Sequence, residues 1–342
     1  MVRSAHGKIM GRWEILILAA LLLLPILSHA AEGRADEGKP DMSMQVKDEE
    51  TQLAQRFALR EAVDSPFEYS VSVGDRRDEL RWSIANGGVN IASEVEWKDV
   101  RSMQLRAAGR LNLGYGWLLR GSYSTGAVKS GRNRDSDYAG NERTLEYSRS
   151  ESKAGGAVRD ASLGLGWKFT ALELDSGSAL VLVPLVGLSI RQQSLTMFEG
   201  QQVIPASGPI TGLNNSYNTQ WKGSWAGVDA RWAFGSNWAL NATFEQHRAD
   251  YTAEADWNLR TDLAHPVSFR HVANGRGTVT SIGVEYRFTR NLLLAAQLER
   301  QNWETWSGYD QTNFAFGGTA NYTLNPVNWD SRYTSLAFVY QF

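Results

Sequence analysis

The chain has 342 residues and no cysteine, which excludes a disulfide framework, a thiolate metal site and a cysteine nucleophile. A formal net charge of −2 argues against a nucleic-acid partner. The 32 glycines, 13 tryptophans and 12 tyrosines suit tightly paired strands with aromatic girdles at two membrane interfaces.

The composition of the first 65 residues indicates two segments that lie outside the main fold. Basic residues precede the apolar run Ile15–Leu27, a pattern typical of a secretory signal peptide over residues 1–30. The run is too short to cross a membrane as a helix. Residues 31–65 are rich in Asp and Glu and poor in aromatic residues, which favours a charged periplasmic tail.

Residues 66–342 contain recurring segments of alternating hydrophobicity, and the last of them is the clearest. Leu336, Phe338, Tyr340 and Phe342 share one face of an extended strand, and small or polar side chains occupy most of the other. A tilted strand of about ten residues with this alternation can cross a bilayer. Because unpaired sheet edges cannot lie in lipid, such a strand must pair on both sides within a closed barrel.

Ten segments fit this pattern, and their connections alternate between short turns and long polar loops. That alternation is typical of periplasmic turns and extracellular loops, so the fold class is an all-β, closed antiparallel transmembrane barrel in a bacterial outer membrane. A soluble β-sandwich is the alternative. The predicted strands are Phe67–Ala85, Val89–Leu113, Trp117–Gly131, Ala157–Leu172, Ala179–Phe198, Trp221–Phe234, Asn237–Asp256, Gly277–Phe288, Leu292–Trp303 and Tyr333–Phe342.

Charged residues fall on the inward face of the predicted strands. Narrow barrels are filled by side chains, so these charges predict an interior plugged by ion pairs. A small porin-like diffusion pore is the alternative. The inward charges are Arg120, Lys168, Asp229, Arg231, Glu245, His247, Glu285, Arg287 and Glu299.

The densest polar stretch, residues 135–146, is the best candidate for chemistry. Asp135 and Asp137 point the same way in an extended chain, so one of them could hold or deprotonate a water molecule. Together with Glu146 they also fit part of the spacing of a calcium loop, although Ala139 occupies a ligand position. Three interpretations of this stretch stay open: a structural loop, an acid pair at a functional site, and a calcium site with these three ligands.

The chain resembles two groups of outer-membrane barrels. Its size, ten predicted strands, long outer loops and the Asp-x-Asp-aromatic motif at Asp135–Tyr138 resemble the omptin family of outer-membrane proteases. The stretch 135–150 also resembles proteobacterial and chlamydial barrels typified by Protochlamydia outer-membrane protein. The resemblance spans most of residues 80–342.

The omptin resemblance implies an aspartyl endopeptidase in which an Asp pair faces an Asp-His couple across the barrel. Asp135 and Asp137 match the pair, and Asp256 matches the second Asp. The position of the family's His holds Asn258, whose amide cannot take a proton from water. The resemblance therefore predicts weak or no protease activity, and a gain in cleavage after basic residues in Asn258→His.

Two features of the sequence complicate this assignment. Strict alternation places all three Asp residues on the lipid side of their strands, so they reach the groove only if a bulge resets the register. His265 and His271 lie in the same outer loop as Asp256, and either could supply the missing base.

The omptin resemblance also implies a lipopolysaccharide site on the fifth strand. The matching positions are Leu188, Ile190 and Gln192, with Arg191 adjacent. The expected partners are outer-membrane lipid and lipopolysaccharide, with surface peptides as further candidates and calcium as the only candidate cofactor. The preferred function is a surface-binding or structural barrel, and an endopeptidase or a small pore are the alternatives.

Overall fold

The computed structural model describes residues 65–173, 178–235 and 237–342. The predicted signal peptide and nearly all of the charged tail lie outside the described residues, so both stay predictions. Within the described ranges, no helix is long and apolar enough to cross a membrane.

The described residues form fourteen strands. They are β1 (Phe67–Asn86), β2 (Val89–Gly114), β3 (Trp117–Gly140), β4 (Thr144–Trp167), β5 (Phe169–Glu173), β6 (Ala179–Ile204), β7 (Gly208–Ile210), β8 (Asn215–Phe234), β9 (Trp238–Asp256), β10 (Phe269–Arg287), β11 (Leu292–Thr305), β12 (Gly308–Asn313), β13 (Thr319–Leu324) and β14 (Asn328–Gln341).

Ten of these strands form a closed antiparallel ring, which confirms the predicted barrel. The order is β1, β2, β3, β4, β6, β8, β9, β10, β11 and β14, and β14 pairs with β1 from Glu68 opposite Gln341 to Arg81 opposite Asn328. The other strands are short: β5 and β7 pair with β6, and the hairpin β12–β13 joins β10 to β1. Closure pairs the backbone groups that lipid could not satisfy.

The strands are longer on the extracellular side than the alternation predicted. The region 132–156, expected as a loop, continues as β3 and β4 and turns only at residues 141–143. Beyond the bilayer the two strands still pair with each other, and the requirement for apolar outward side chains disappears. The hydrophobic alternation therefore stops before the strands do.

The last strand has the two faces that its sequence predicted. Leu336 and Phe338 are exposed by 58% and 65% on the outer wall, whereas Ser335 and Gln341 are exposed by 4% and 3%. At the periplasmic end, the rings of Phe342 and Phe67 are 5.4 Å apart, so the chain terminus packs against the start of the barrel.

The lower interior is filled by ion pairs, as the inward charges predicted. Arg120 reaches Asp229 at 2.6 Å and also contacts Glu245, and Arg106 reaches Glu299 at 2.6 Å. The network continues through residues outside the predicted set of inward charges, namely Glu68, Arg76, Asp78, Arg110, Asp160 and Arg191. The remaining polar cavity is about 190 Å³.

The upper interior is filled by aromatic side chains. Trp82 lies 5.7 Å from Tyr217 and 6.3 Å from Trp257, Trp97 lies 5.0 Å from Tyr217, and Phe269 lies 4.7 Å from Trp257. We call these five residues the aromatic cluster. Offset and edge-on contacts at such distances stabilise packing beyond the buried area alone, so the cluster closes the mouth of the barrel.

The topology can be tested by single-cysteine labelling, because the natural chain has no cysteine. Tyr115 and Phe316 are 95% and 83% exposed in turns at opposite ends of the barrel. A membrane-impermeant maleimide should label Phe316→Cys on intact cells, and Tyr115→Cys only after the outer membrane is permeabilised. Equal labelling of both variants on intact cells would refute the orientation.

Candidate functional site

An irregularity in β3 turns the Asp pair inward. Ala127 pairs with Ala157 of β4, but Arg132 pairs with Lys153, so β3 holds one extra residue between these pairs. Such a bulge exchanges the two faces of a strand. Above it, Asp135 and Asp137 lie on the face that carries the core, as the resemblance requires.

The pair lies above the lipid-facing band in a largely apolar setting. The indole Nε1 of Trp257 donates a hydrogen bond to Asp135 Oδ2 at 3.2 Å, and Asp135 lies opposite Val95 of β2. Burial and the neighbouring Asp137 raise the pKa of Asp135 to about 7. Burial also raises the pKa of Asp137, against the opposing effects of a hydrogen bond from Ser93 and the charge of Arg260.

Asp256 does not join this pair. On β9 the buried side chains are Ala253 and Ala255, so Asp256 follows the outward alternation. Its carboxylate Oδ1 is 2.5 Å from Nδ1 of His265, and this contact raises the pKa of His265. An Asp-His couple therefore exists. Its His is His265 and not a residue at the expected position 258, and the couple faces away from the Asp pair.

Asn258 has a structural role. Its Nδ2 donates to the carbonyl of Gly212 at 2.8 Å, and its Oδ1 accepts from the backbone N–H of Asn214 at 2.8 Å. Its own backbone N–H donates to Asn215 Oδ1 at 3.0 Å. These bonds hold the loop after β9 against the segment before β8. Asn258→His would remove the two side-chain bonds, and its ring would not face the Asp pair, so the geometry does not support the predicted gain of cleavage.

The second candidate base, His271, is buried in the upper interior with both ring nitrogens occupied. Nε2 is 2.9 Å from Asp310 Oδ2, and Nδ1 is 2.8 Å from the hydroxyl of Tyr217. That hydroxyl is also 2.7 Å from the hydroxyl of Tyr251. This series of hydrogen bonds, from Asp310 through His271 and Tyr217 to Tyr251, connects four strands. It leaves His271 no contact with the Asp pair. No sequence pattern indicates these four hydrogen-bonded residues, because they lie on four different strands and only the folded barrel brings them together.

The three calcium-ligand candidates do not converge. Glu146 accepts a hydrogen bond from Arg149 Nε at 2.9 Å, and a hydrogen bond from Arg149 lowers the pKa of Glu146. Ser136 also contacts Glu146 and lies on the opposite face of β3 from Asp135 and Asp137. No group of three acidic, His or Cys residues within the described ranges could hold a metal ion.

Residues 70–342 match the family described as Pom, Protochlamydia outer membrane protein. The chain belongs to this family. The match covers the whole strand ring except its first few residues, so this Pom-family member is a bacterial outer-membrane β-barrel. No curated protein matches the sequence.

The solved structure of OmpT supports the same fold for the Pom-family chain. The outer membrane protease OmpT from Escherichia coli is 12% identical, with a TM-score of 0.67 over 82% of this chain and 97% of OmpT. The translocator domain of the autotransporter NalP from Neisseria meningitidis is 10% identical, with a TM-score of 0.35 over 88% of this chain and 98% of that domain. At these identities the likeness to OmpT concerns the fold alone.

The raised pKa of Asp135 predicts a stability difference that depends on pH. The folded state favours the protonated carboxyl of Asp135. Its contribution to the free energy of unfolding is therefore present at low pH and is lost as the pH rises toward about 7. Asp135→Asn removes the carboxylate, whose negative charge destabilises the folded state at high pH. We expect the variant to gain more stability over the wild type at pH 8 than at pH 5, measured by chemical unfolding in detergent.

Glu146→Gln on the same hairpin is the matched control. Because the pKa of Glu146 is lowered, this residue is ionised at both pH values and its replacement should have the same effect at each. An equal effect of Asp135→Asn at the two pH values would show that Asp135 is not held in its protonated form.

Proposed function

We propose that this Pom-family barrel binds partners at the cell surface and has weak or no protease activity. The observation that carries this proposal is a set of exposed apolar side chains at the tips of the extracellular strands. Phe316 is 83% exposed, Leu145 73%, Tyr147 59% and Leu259 45%. Exposed apolar side chains at a protein surface can mark a site that contacts a partner. We call these four residues the apolar rim.

The tip that carries Phe316 is held in place by its neighbours. The rings of Phe314 and Phe316 stack with centroids 5.1 Å apart. The N–H of Phe314 donates to the carbonyl of Gly318, and the N–H of Ala315 donates to the carbonyl of Asp262. A preorganised tip loses little conformational entropy when it binds, which favours recognition of a surface over capture of a flexible substrate.

The Asp pair gives less support to the endopeptidase alternative. The raised pKa of Asp135 beside Asp137 is the feature that favours it, because perturbed carboxyl groups are common at catalytic sites. Against it, Asp256 faces outward, Asn258 bonds to backbone groups and His271 is enclosed. A general base must come within hydrogen-bond reach of the attacking water, and none of these groups is positioned beside the pair.

Lipopolysaccharide and other outer-membrane lipids are proposed partners of the outer wall. The positions implied by the omptin resemblance offer little to an anionic lipid, since Leu188 faces outward and Arg191 is 6% exposed inside the barrel. Arg191 lies 3.7 Å from Asp160 in the ion-pair network, so it does not replace a surface cation. Any lipid recognition therefore depends on other residues.

The surface-binding proposal predicts that the apolar rim makes cells adhere to apolar surfaces. Bacteria that display the protein should be retained on octyl-coated beads, and the double variant Phe316→Ser, Leu145→Ser should lose most of this retention. Tyr115→Ser is the matched control, because Tyr115 is 95% exposed in a periplasmic turn. Equal retention of the rim variant and the wild type, at equal surface amounts, would count against the proposal.

A further inference from the structure

Four arginines form a single row across the outer wall of the barrel. Arg101 of β2 lies opposite Arg77 of β1, Arg77 lies opposite Arg332 of β14, and Arg332 lies opposite Arg300 of β11. All four side chains are exposed. We call them the arginine row. It spans four neighbouring strands without interruption by another residue type.

The arginine row lies at the upper boundary of the lipid-facing band. Two rows lower on the same strands, Val73, Leu105 and Leu336 are exposed by 51%, 53% and 58% on the outer wall. Successive outward residues on a strand are about 7 Å apart, so the guanidinium groups lie within reach of the head groups of the outer leaflet. Long side chains at this depth extend toward the polar interface.

Directly opposed like charges destabilise a sheet unless they are compensated. The carboxylate of Asp99 accepts from Arg77 and also from Arg132, and Asp330 lies 3.8 Å from Arg300. Asp75 and Glu79 flank Arg77 on the same face of β1. For Arg101 and Arg332, no ion pair within 4 Å is formed with any residue of the described ranges. The four carboxylates balance much of the charge of the row, but the guanidinium groups of Arg101 and Arg332 stay available to an anion.

An apolar groove lies immediately below the arginine row. Its volume is about 600 Å³, and it crosses β2, β1, β14, β11 and β10. The groove exists because small side chains such as Ala296 and Thr334 sit between larger ones. Its lining is mainly apolar, with Val73, Met103, Ile282, Ala296 and Leu336, and it also includes Asp75 directly below Arg77.

We propose that this wall binds a phosphate-bearing lipid of the outer leaflet. The phosphate would lie across Arg101, Arg77 and Arg332, and an acyl chain would lie in the groove. Guanidinium groups bind phosphate oxygens through paired, charge-assisted hydrogen bonds, so adjacent arginines suit a phosphate better than scattered lysines do. The site is on the opposite side of the ring from β6 and does not depend on the apolar rim.

The test measures lipid binding to the detergent-folded full chain by native mass spectrometry. The probes are a bisphosphorylated lipid A, the same lipid after removal of its phosphates, and inorganic phosphate. We expect the double variant Arg101→Gln, Arg332→Gln to bind the phosphorylated lipid at least about tenfold more weakly, which corresponds to about 1.4 kcal/mol. The dephosphorylated lipid should bind weakly to the wild type and the variant alike.

Arg159→Gln is the matched control. Arg159 is also outward and exposed, but it lies opposite Thr125 and Gln192 and thus outside any row of like charges. Its replacement should leave binding of the phosphorylated lipid unchanged. Equal losses in Arg159→Gln and the double variant would overturn the proposal, because general surface charge would then explain the binding.

Ala296→Trp tests the groove separately. The indole would fill the space for the acyl chain and leave the arginine row intact, so binding of the phosphorylated lipid should fall while any binding of inorganic phosphate is kept. If lipid binding is unaffected, the row binds phosphate without an acyl chain and the lipid proposal fails. Heat-modifiable migration on gels verifies that each variant is folded.

Discussion

The backbone hydrogen bonds between β1 and β14 are the interaction on which the rest of the structure depends. Lipid offers no partner to an unpaired N–H or C=O group, so the sheet must close on itself. In this chain closure requires the first and last strands to pair over fourteen residue positions, from Glu68 opposite Gln341 to Arg81 opposite Asn328. The apolar outer face, the narrow interior and the two distinct ends of the molecule all follow from that ring.

A ring of ten strands encloses a space that side chains can fill. Ion pairs fill the lower part, where Arg120 and Arg106 each lie within 2.6 Å of a carboxylate. The aromatic cluster fills the upper part, and His271 is enclosed beside it. A filled interior disfavours both the diffusion pore and a deep catalytic groove. The exposed features of the outer half are instead the apolar rim and the arginine row.

The sequence predicted the fold because lipid imposes a strict rule on outward side chains. The alternation of Leu336, Phe338 and Tyr340 is visible without any structure, and so is the inward position of Glu245 and Glu299. The candidate site follows no such rule. Alternation placed Asp135 and Asp137 on the wrong face because one extra residue between Ala127 and Arg132 reverses β3, and a bulge has no hydrophobic signature.

The remaining differences concern contacts between residues that are far apart in the chain. Asn258 matched the position of a catalytic His, but its hydrogen bonds to Gly212 and Asn214 depend on how two loops meet. The arginine row was invisible for a similar reason. Arg77 and Arg332 are separated by most of the barrel sequence, and only the register of β1 against β14 places them side by side.

We propose that the extracellular end of the barrel is a binding surface and that its Asp pair does not hydrolyse peptides. The most direct measurement is cleavage of a fluorogenic peptide library containing basic residues by folded protein supplied with lipopolysaccharide. We expect the wild type, Asp135→Ala and Asn258→His to give the same background rate. Robust cleavage by the wild type that is lost in Asp135→Ala would contradict this proposal and place the chemistry at the Asp pair.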